Sequence, residues 1–320
     1  MPPRGSLRGD ERMGGAPALS IVVPVYDEQD NVVPLFAELT RVATGLGKPY
    51  EIIFVNDGSR DATLARLEAL RAADEHLRIV DLDGNFGEAA ALSAGFAHAC
   101  GELVVTLDGD GQNDPADIPR LLARLGRDVD VVSGRRRERQ EAFLTRVLPS
   151  RIANWLIARA TGVPVYDCGC GLKVYRREVL ADAQLPRGMN RFLPAVLGVR
   201  PGRVEEVIVG DRRRTAGRSH YGLSRTFVVL RDLLALPILA RRTPRGHALE
   251  LTLSGAQAGL VAVVFAAIVG ALGWPGERMP TRVVALAALA TAAIGFAIAH
   301  NIQRWARAQR HGVFRVRRVV

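Results

Sequence analysis

The chain has 320 residues, is 48% hydrophobic, and carries 43 Lys and Arg against 33 Asp and Glu, for a net charge of +10. That length buries a full core with room for an appendage, and the charge calls for an anionic partner: nucleic acid, an anionic membrane surface or a phosphorylated substrate. Lys48 and Lys173 are the only lysines, so part of the basicity is arginine bias, and an aromatic content of 6% offers little base stacking, which argues against nucleic acid. Cys100, Cys168 and Cys170 make no disulfide framework, and the C-x-C lacks the second pair of a zinc site, so a reducing, cytosolic setting is expected.

Residues 1–17 are rich in Gly, Pro and Arg without an apolar core, and read as a disordered tail rather than a signal peptide. Strand-like runs then recur at Leu19–Val25, Glu51–Val55, Arg78–Leu82, Glu102–Leu107 and Val129–Val132. Helix-compatible segments lie between them at Val32–Leu46, Ala62–Ala73, Ala89–Ala99 and Ala116–Leu125. Strands alternating with helices predict a doubly wound, mainly parallel sheet, with ligands at the carboxyl ends of the strands. Asp27, Asp57, Asp83, Asp108 and Asp110 all fall there.

The last third changes character. Leu251–Trp274 and Val283–Gln303 are uncharged runs of 24 and 21 residues, joined by Pro275–Thr281. At about 1.5 Å per residue each reaches across a hydrocarbon core of about 30 Å. Neither has a polar face, which favours membrane spans over buried core helices. Arg241, Arg242 and Arg245 precede the hairpin, and Arg304, Arg307, Arg310, Arg315, Arg317 and Arg318 follow it. The positive-inside rule therefore places both termini on the cytoplasmic side of the inner membrane. Gly255 with Gly259, and Ala287, Thr291, Gly295 and Ala299, give small-residue stripes for packing within the hairpin or between copies of the chain. Ser224–Ala240 is apolar but interrupted by Arg225, Arg231 and Asp232, and suits a helix lying in the membrane interface or one packed on the domain.

The chemistry concentrates in VVTLDGDGQNDP, Val104–Pro115. Asp108 and Asp110, two apart at a strand end, can face one divalent cation, and the glycines let a bulky ligand approach the backbone. A polar turn has the same composition, and this stretch alone does not separate the two. Further motifs accompany it: IVVPVYDEQDN (Ile21–Asn31), IIFVNDGSRDAT (Ile52–Thr63) and NFGEAAALSAG (Asn85–Gly95).

With these residues in this order, the chain resembles the inverting family 2 glycosyltransferases of GT-A fold. Within them it is similar to the polyprenyl-phosphate sugar transferases, which include dolichyl-phosphate mannose synthases and the bacterial undecaprenyl-phosphate glucosyl and formamido-arabinosyl transferases. The resemblance implies a Rossmann-like catalytic domain over 18–222, an amphipathic juxtamembrane segment over 223–247, a transmembrane hairpin over 248–303 and a basic cytoplasmic tail over 304–320. It places Pro24, Tyr26, Glu28, Asp57 and Asn85 around a UDP-sugar or GDP-mannose donor, with Asp27 and Asn56 standing where the family usually has Asn and Asp. Asp108, Asp110 and Gln112 match D-x-D-x-Q, which implies Mg²⁺ or Mn²⁺ on Asp110 and Gln112.

For the lipid phosphate the resemblance implies Arg136 in SGRRRERQ, Arg151 with Ser150 and Asn154 in LPSRIAN, and Arg214 with Ser219 in RRTAGRSHYG, where His220 replaces the usual lysine. Arginine's planar fork suits phosphate oxygens. YDCGCGLKVYRR (Tyr166–Arg177) and RFLPA (Arg191–Ala195) resemble the formamido-arabinose branch, with Asp167 at the acceptor phosphate or sugar hydroxyls, or capping a turn. A polysaccharide synthase would share the fold, but its Q-x-x-R-W has no counterpart beyond the wrongly spaced Gln303, Arg304 and Trp305. A non-catalytic membrane scaffold would have no use for aligned carboxylates.

Overall fold

The computed structural model describes residues 17–136, 167, 169–181, 183, 185, 188–212 and 314–320. By its contacts the chain divides into a unit formed by Met1–Tyr221 with Gly312–Val320 and a second formed by Gly222–His311. The described residues belong to the first.

That unit is built on β1 (Leu19–Val25), β2 (Tyr50–Asn56), β3 (Leu77–Leu82), β4 (Leu103–Thr106), β5 (Val131–Arg136), β6 (Lys173–Arg176), β7 (Val204–Val209) and β8 (Val316–Val319). They form one sheet in the order β7-β5-β6-β4-β1-β2-β3-β8. The central strands are runs of Val, Ile and Phe because both faces are covered: Ile21, Val22, Val23, Ile52, Ile53, Phe54 and Val55 are fully buried. The covering helices are α1 (Gln29–Gly45), α2 (Thr63–Ala73), α3 (Glu88–His98) and α4 (Ile118–Arg124). On α1 the buried Val32, Leu35, Phe36, Leu39 and Ala43 recur at helical spacing, so one stripe faces the sheet. On α3 a Cβ added at Gly95 would lie 2.3 Å from Val22 Cγ1, so glycine there lets α3 pack against β1 and brings its start to the strand ends.

The sheet is mainly parallel, as expected, but mixed, since β6 and β8 run against the other six strands. β1 pairs in parallel with β2 and β4, β2 with β3, and β5 with β7. β6 runs antiparallel between β4 and β5, and β8 is antiparallel to β3. The missing signal has a physical reason: β6 is only KVYR, too short to show a pattern, while β7 and β8 are edge strands with several exposed residues and no continuous apolar run.

β8 also corrects the reading of the C-terminus as a basic tail. Its arginines serve the sheet edge: Arg317 Nη1 lies 3.3 Å and Arg318 Nε 3.8 Å from the fully buried Asp81 carboxylate, and Arg318 also reaches Glu68. The candidate spans Leu251–Trp274 and Val283–Gln303, and the segment Ser224–Ala240, lie outside the described residues, as do 1–16. No helix among the described residues is long and apolar enough to cross a membrane.

Candidate active site

The strand order reverses between β1 and β4, since β2 and β3 continue on one side of β1 and β4 starts the other. The carboxyl ends at such a switch point form the natural crevice of an open α/β sheet. The antiparallel β6 matters here, because Lys173 pairs with Thr106 and Ser133, so the segment leading into β6 arrives at the ends of β4 and β5.

On the β1–β2 side, the two expected nucleotide motifs interlock. Asp27 adopts φ 53, a left-handed conformation in which Asp and Asn are the best tolerated residues after glycine. Its main-chain N–H donates to Ser59 Oγ at 3.0 Å, and its Oδ1 accepts from the Arg60 amide at 2.7 Å. The Glu28 amide donates to Thr63 Oγ1 at 2.9 Å, and Gln29 Oε1 accepts from the Ala62 amide at 3.0 Å. Pro24, Tyr26 and Glu28 keep part of their surface open on this cradle, and Asn85 is exposed beside it. Gly58 has φ +69, and a Cβ there would meet the Gly84 carbonyl carbon at 2.5 Å, so the cradle closes only around glycine.

Asp57, expected to contact the nucleoside, also has a structural task. Its carboxylate is buried and accepts from the Phe86 amide at 2.7 Å and the Gly87 amide at 2.8 Å, tying the end of β2 to the start of α3. Asn56 is also buried, donating from Nδ2 to Asp81 Oδ1 at 2.7 Å.

Asp108 and Asp110 follow β4. Asp108 turns its carboxylate inward against Gly171, where an added Cβ would lie 2.2 Å from Oδ1. Burial, followed by the charges of Glu88 and Asp110, pushes the Asp108 carboxyl up to about 8, against the pull of Lys173 and Arg136. The loop itself is wound by its side chains: Asp110 Oδ1 accepts from the Gln112 amide at 3.0 Å, and Asn113 Oδ1 from the Asp108 amide at 3.1 Å. Gly109 admits no Cβ, which would stand 2.5 Å from Val25 Cγ1.

A buried carboxyl with two further carboxylates near it fits a divalent cation. Among the described residues no group of three or more His, Cys, Asp or Glu side chains could hold a metal by itself. Two neighbouring carboxylates suit a cation that takes its remaining ligands from a diphosphate and water.

On the same side of the switch point, at the end of β5, Arg136 and Asp167 meet. Arg136 Nε donates to Asp167 Oδ2 at 2.8 Å and Nη2 to Oδ1 at 3.0 Å, with side chains 17% and 10% exposed. Burial alone would lower the Arg136 guanidinium, but Asp167 beside it reverses this, so it is held more firmly protonated than usual. Both were expected as separate acceptor contacts, and the structure makes them a bidentate pair. Lys173, buried, donates to the Cys170 carbonyl. Arg151, Arg214 and Ser219 lie outside the described residues.

Three residues beside the loop went unnoticed in the sequence. Lys173 and Glu88 stood inside quoted motifs, but only the fold brings their charges near enough to act on Asp108. Arg212 directly precedes RRTAGRSHYG and carried no motif of its own.

A family model, "Glycosyl transferase family 2", matches residues 20–183, which takes in the cradle, the Asp108–Gln112 loop and the Arg136–Asp167 pair. The chain belongs to glycosyl transferase family 2. Among its family 2 relatives, a dodecaprenyl-phosphate galacturonate synthase of Rhizobium johnstonii is 42% identical over 234 residues, 72% of this chain and 69% of that protein. An undecaprenyl-phosphate 4-deoxy-4-formamido-L-arabinose transferase of Salmonella paratyphi B is 37% identical over 217 residues, 68% of this chain and 66% of that protein. The chain thus spans about two thirds of the length of these relatives. The fold is shared with glucosyl-3-phosphoglycerate synthase from Mycobacterium tuberculosis, solved with Mn²⁺, UDP and glucosyl-3-phosphoglycerate, at TM-score 0.54 and 20% identity over 71% of this chain and 81% of that one.

Proposed function

We propose that the protein transfers a sugar from a nucleotide-sugar donor to a polyprenyl phosphate, with inversion at the anomeric carbon, at the cytoplasmic face of the membrane. The observation that carries this reading is the paired site of a family 2 chain. An acidic Asp108–Asp110 loop follows β4, and a fixed cation, Arg136, stands near it at the end of β5 on the same side of the switch point, in a chain similar to two polyprenyl-phosphate sugar enzymes.

The reaction needs little acid–base help. A phosphate monoester with a second pKa of about 6 is already anionic at neutral pH, so its oxygen attacks the anomeric carbon without a strong general base. The interlocked Asp27–Thr63 cradle holds the nucleoside end of the donor. Asp108 and Asp110 would hold Mg²⁺ or Mn²⁺, which when bound neutralises the leaving diphosphate. Arg136, oriented by Asp167, directs charge toward the acceptor phosphate, and bringing both substrates into one crevice supplies proximity.

Chain topology supports a membrane-bound acceptor. β7 leads out of the sheet at its carboxyl edge through Arg212, and the chain returns at the same edge, where the Asp83 amide donates to the Arg315 carbonyl at 3.0 Å. The intervening residues include both candidate spans. A segment that leaves and rejoins one folded unit crosses a bilayer an even number of times, in keeping with a two-span hairpin and a cytoplasmic catalytic unit.

The test is nucleoside diphosphate release by full-length protein in lipid nanodiscs, with UDP-sugars and GDP-mannose as donors. Release that requires both a divalent cation and undecaprenyl phosphate is expected. Release that proceeds equally without polyprenyl phosphate, or that depends on a sugar hydroxyl acceptor, contradicts the assignment.

A further inference from the structure

We propose that Arg212 is a positioning residue for the donor loop, fixing Gln112 and Asp114 so that the Asp110 carboxylate stands where a nucleoside diphosphate and its cation need it. The inference rests on the reading of Asp108–Asp114 as the donor loop.

Arg212 touches three segments at once. Its amide donates to the Gln112 carbonyl at 2.9 Å. Its Nη2 donates to Asp114 Oδ1 at 2.7 Å, and its Nη1 to Glu38 Oε2 at 2.7 Å. The neighbouring residues extend the contact: Asp211 forms an isolated antiparallel bridge with Asn113, and the Gly210 amide donates to Asp117 Oδ2 at 2.8 Å. The strap Gly210–Arg212 therefore runs along the outer side of the loop from Gln112 to Asp117.

The inner side of the loop is where the chemistry lies. Gln112 is the residue whose amide holds Asp110 Oδ1, so a carbonyl pinned by Arg212 and an amide bound to Asp110 belong to the same residue. Asp114 is likewise double: Oδ1 accepts from the Ala116 amide at 2.9 Å, capping the turn that starts α4, and also accepts from Arg212. Asn113, paired with the strap, holds the Asp108 amide. The strap backbone thus holds the loop at Gln112 and Asn113, and the Arg212 side chain ties Asp114 to α1 through Glu38, which fixes the strap and the loop together.

An ordinary surface ion pair would show otherwise. Such pairs contribute little to global stability, and the side chains of Arg212, Glu38 and Asp114 are 39%, 34% and 29% exposed. The effect of losing Arg212 is therefore expected in the geometry of the loop, not in unfolding.

The experiment compares wild type, Arg212→Met and Arg212→Lys as full-length protein in nanodiscs. Mn²⁺ uptake is read from loss of the free-ion electron paramagnetic resonance signal, with UDP and with GDP, and hydrogen exchange is followed across residues 108–117 without ligand. Arg212→Met is expected to weaken Mn²⁺·nucleotide binding about tenfold and to speed exchange in that loop, with the melting temperature nearly unchanged and partial recovery in Arg212→Lys. Unchanged Mn²⁺·nucleotide binding in Arg212→Met overturns the inference, as does weakened binding accompanied by faster exchange throughout the sheet. A wild type that takes up no Mn²⁺ with either nucleotide overturns it together with the donor-loop reading. A wild type that binds Mn²⁺ and nucleotide yet transfers no sugar to polyprenyl phosphate refutes only the proposed acceptor, and leaves the Arg212 comparison standing.

Discussion

Gly171 shows how tightly single residues set this site. Any side chain there enters the space of the Asp108 carboxylate, at 2.2 to 2.5 Å from its atoms. Gly171→Ala is expected to displace Asp108, at a cost of about 1–3 kcal/mol in folding stability, and to lower turnover far more than it lowers the melting temperature. Steady-state kinetics beside thermal melts check this, and normal turnover would refute the placement of Asp108. The same carboxyl gives a pH dependence. Its folded pKa, about 8, lies above the ordinary value of 3.8, so the folded state binds the proton longer than the unfolded chain. In metal-free protein this contribution to stability is complete below about pH 4 and is lost as pH rises through the folded value. Melting temperatures of metal-free protein should therefore fall between about pH 4 and about pH 8 and level off above that, and a saturating divalent cation with nucleoside diphosphate should reduce that fall. Arg136 is set by its partner. Arg136→Ala leaves Asp167 charged and nearly buried, and is expected to destabilise the unit by about 3 kcal/mol or more, whereas Arg136→Lys keeps the charge but loses the fork.

At the scale of elements, the site depends on strands with little sequence signal. The four parallel strands β1 to β4 and helices α1 to α3 were legible to within a few residues, because a sheet buried on both faces leaves continuous apolar runs and its helices leave periodic stripes. β6 was not, being four residues long, and with it went the view that Gly171 lies against Asp108 and that the Lys173 charge acts on it. The structural task of Asp57 was hidden for a related reason: an Asp-Gly-Ser after a strand does not show that its carboxylate accepts from the amides that open α3. β8 was hidden because its outward residues are arginines, which read as a tail until Asp81 is seen behind them. Removing residues 312–320 would bare the edge of β3 and leave Asp81, fully buried, without Arg317 and Arg318. Asp81 also accepts from Asn56, so the truncation should loosen the end of β2 as well. A lower melting temperature, with faster hydrogen exchange in β3 and in Asn56–Ser59, is the expected result. Unchanged exchange there would show that β8 is dispensable.

Over the whole molecule, the sheet gathers its chemistry along one edge: the cradle from β1 and β2, the acidic loop from β4, the Arg136–Asp167 pair, and the strap after β7. The resemblance named a donor half and an acceptor half. The structure adds that Arg212 joins Asp114 of the Asp108–Asp114 loop to Glu38 of α1, and that the chain leaves and rejoins the unit at the carboxyl ends of the parallel strands. The most direct measurement is transfer of a labelled sugar from its nucleotide into the organic phase by full-length protein with undecaprenyl phosphate, compared between wild type and Asp110→Asn. Cation-dependent formation of a lipid-linked monosaccharide by wild type is expected, lowered about 10²-fold or more in Asp110→Asn. Equal transfer by the two proteins, or transfer by wild type that ignores removal of the divalent cation, would contradict it.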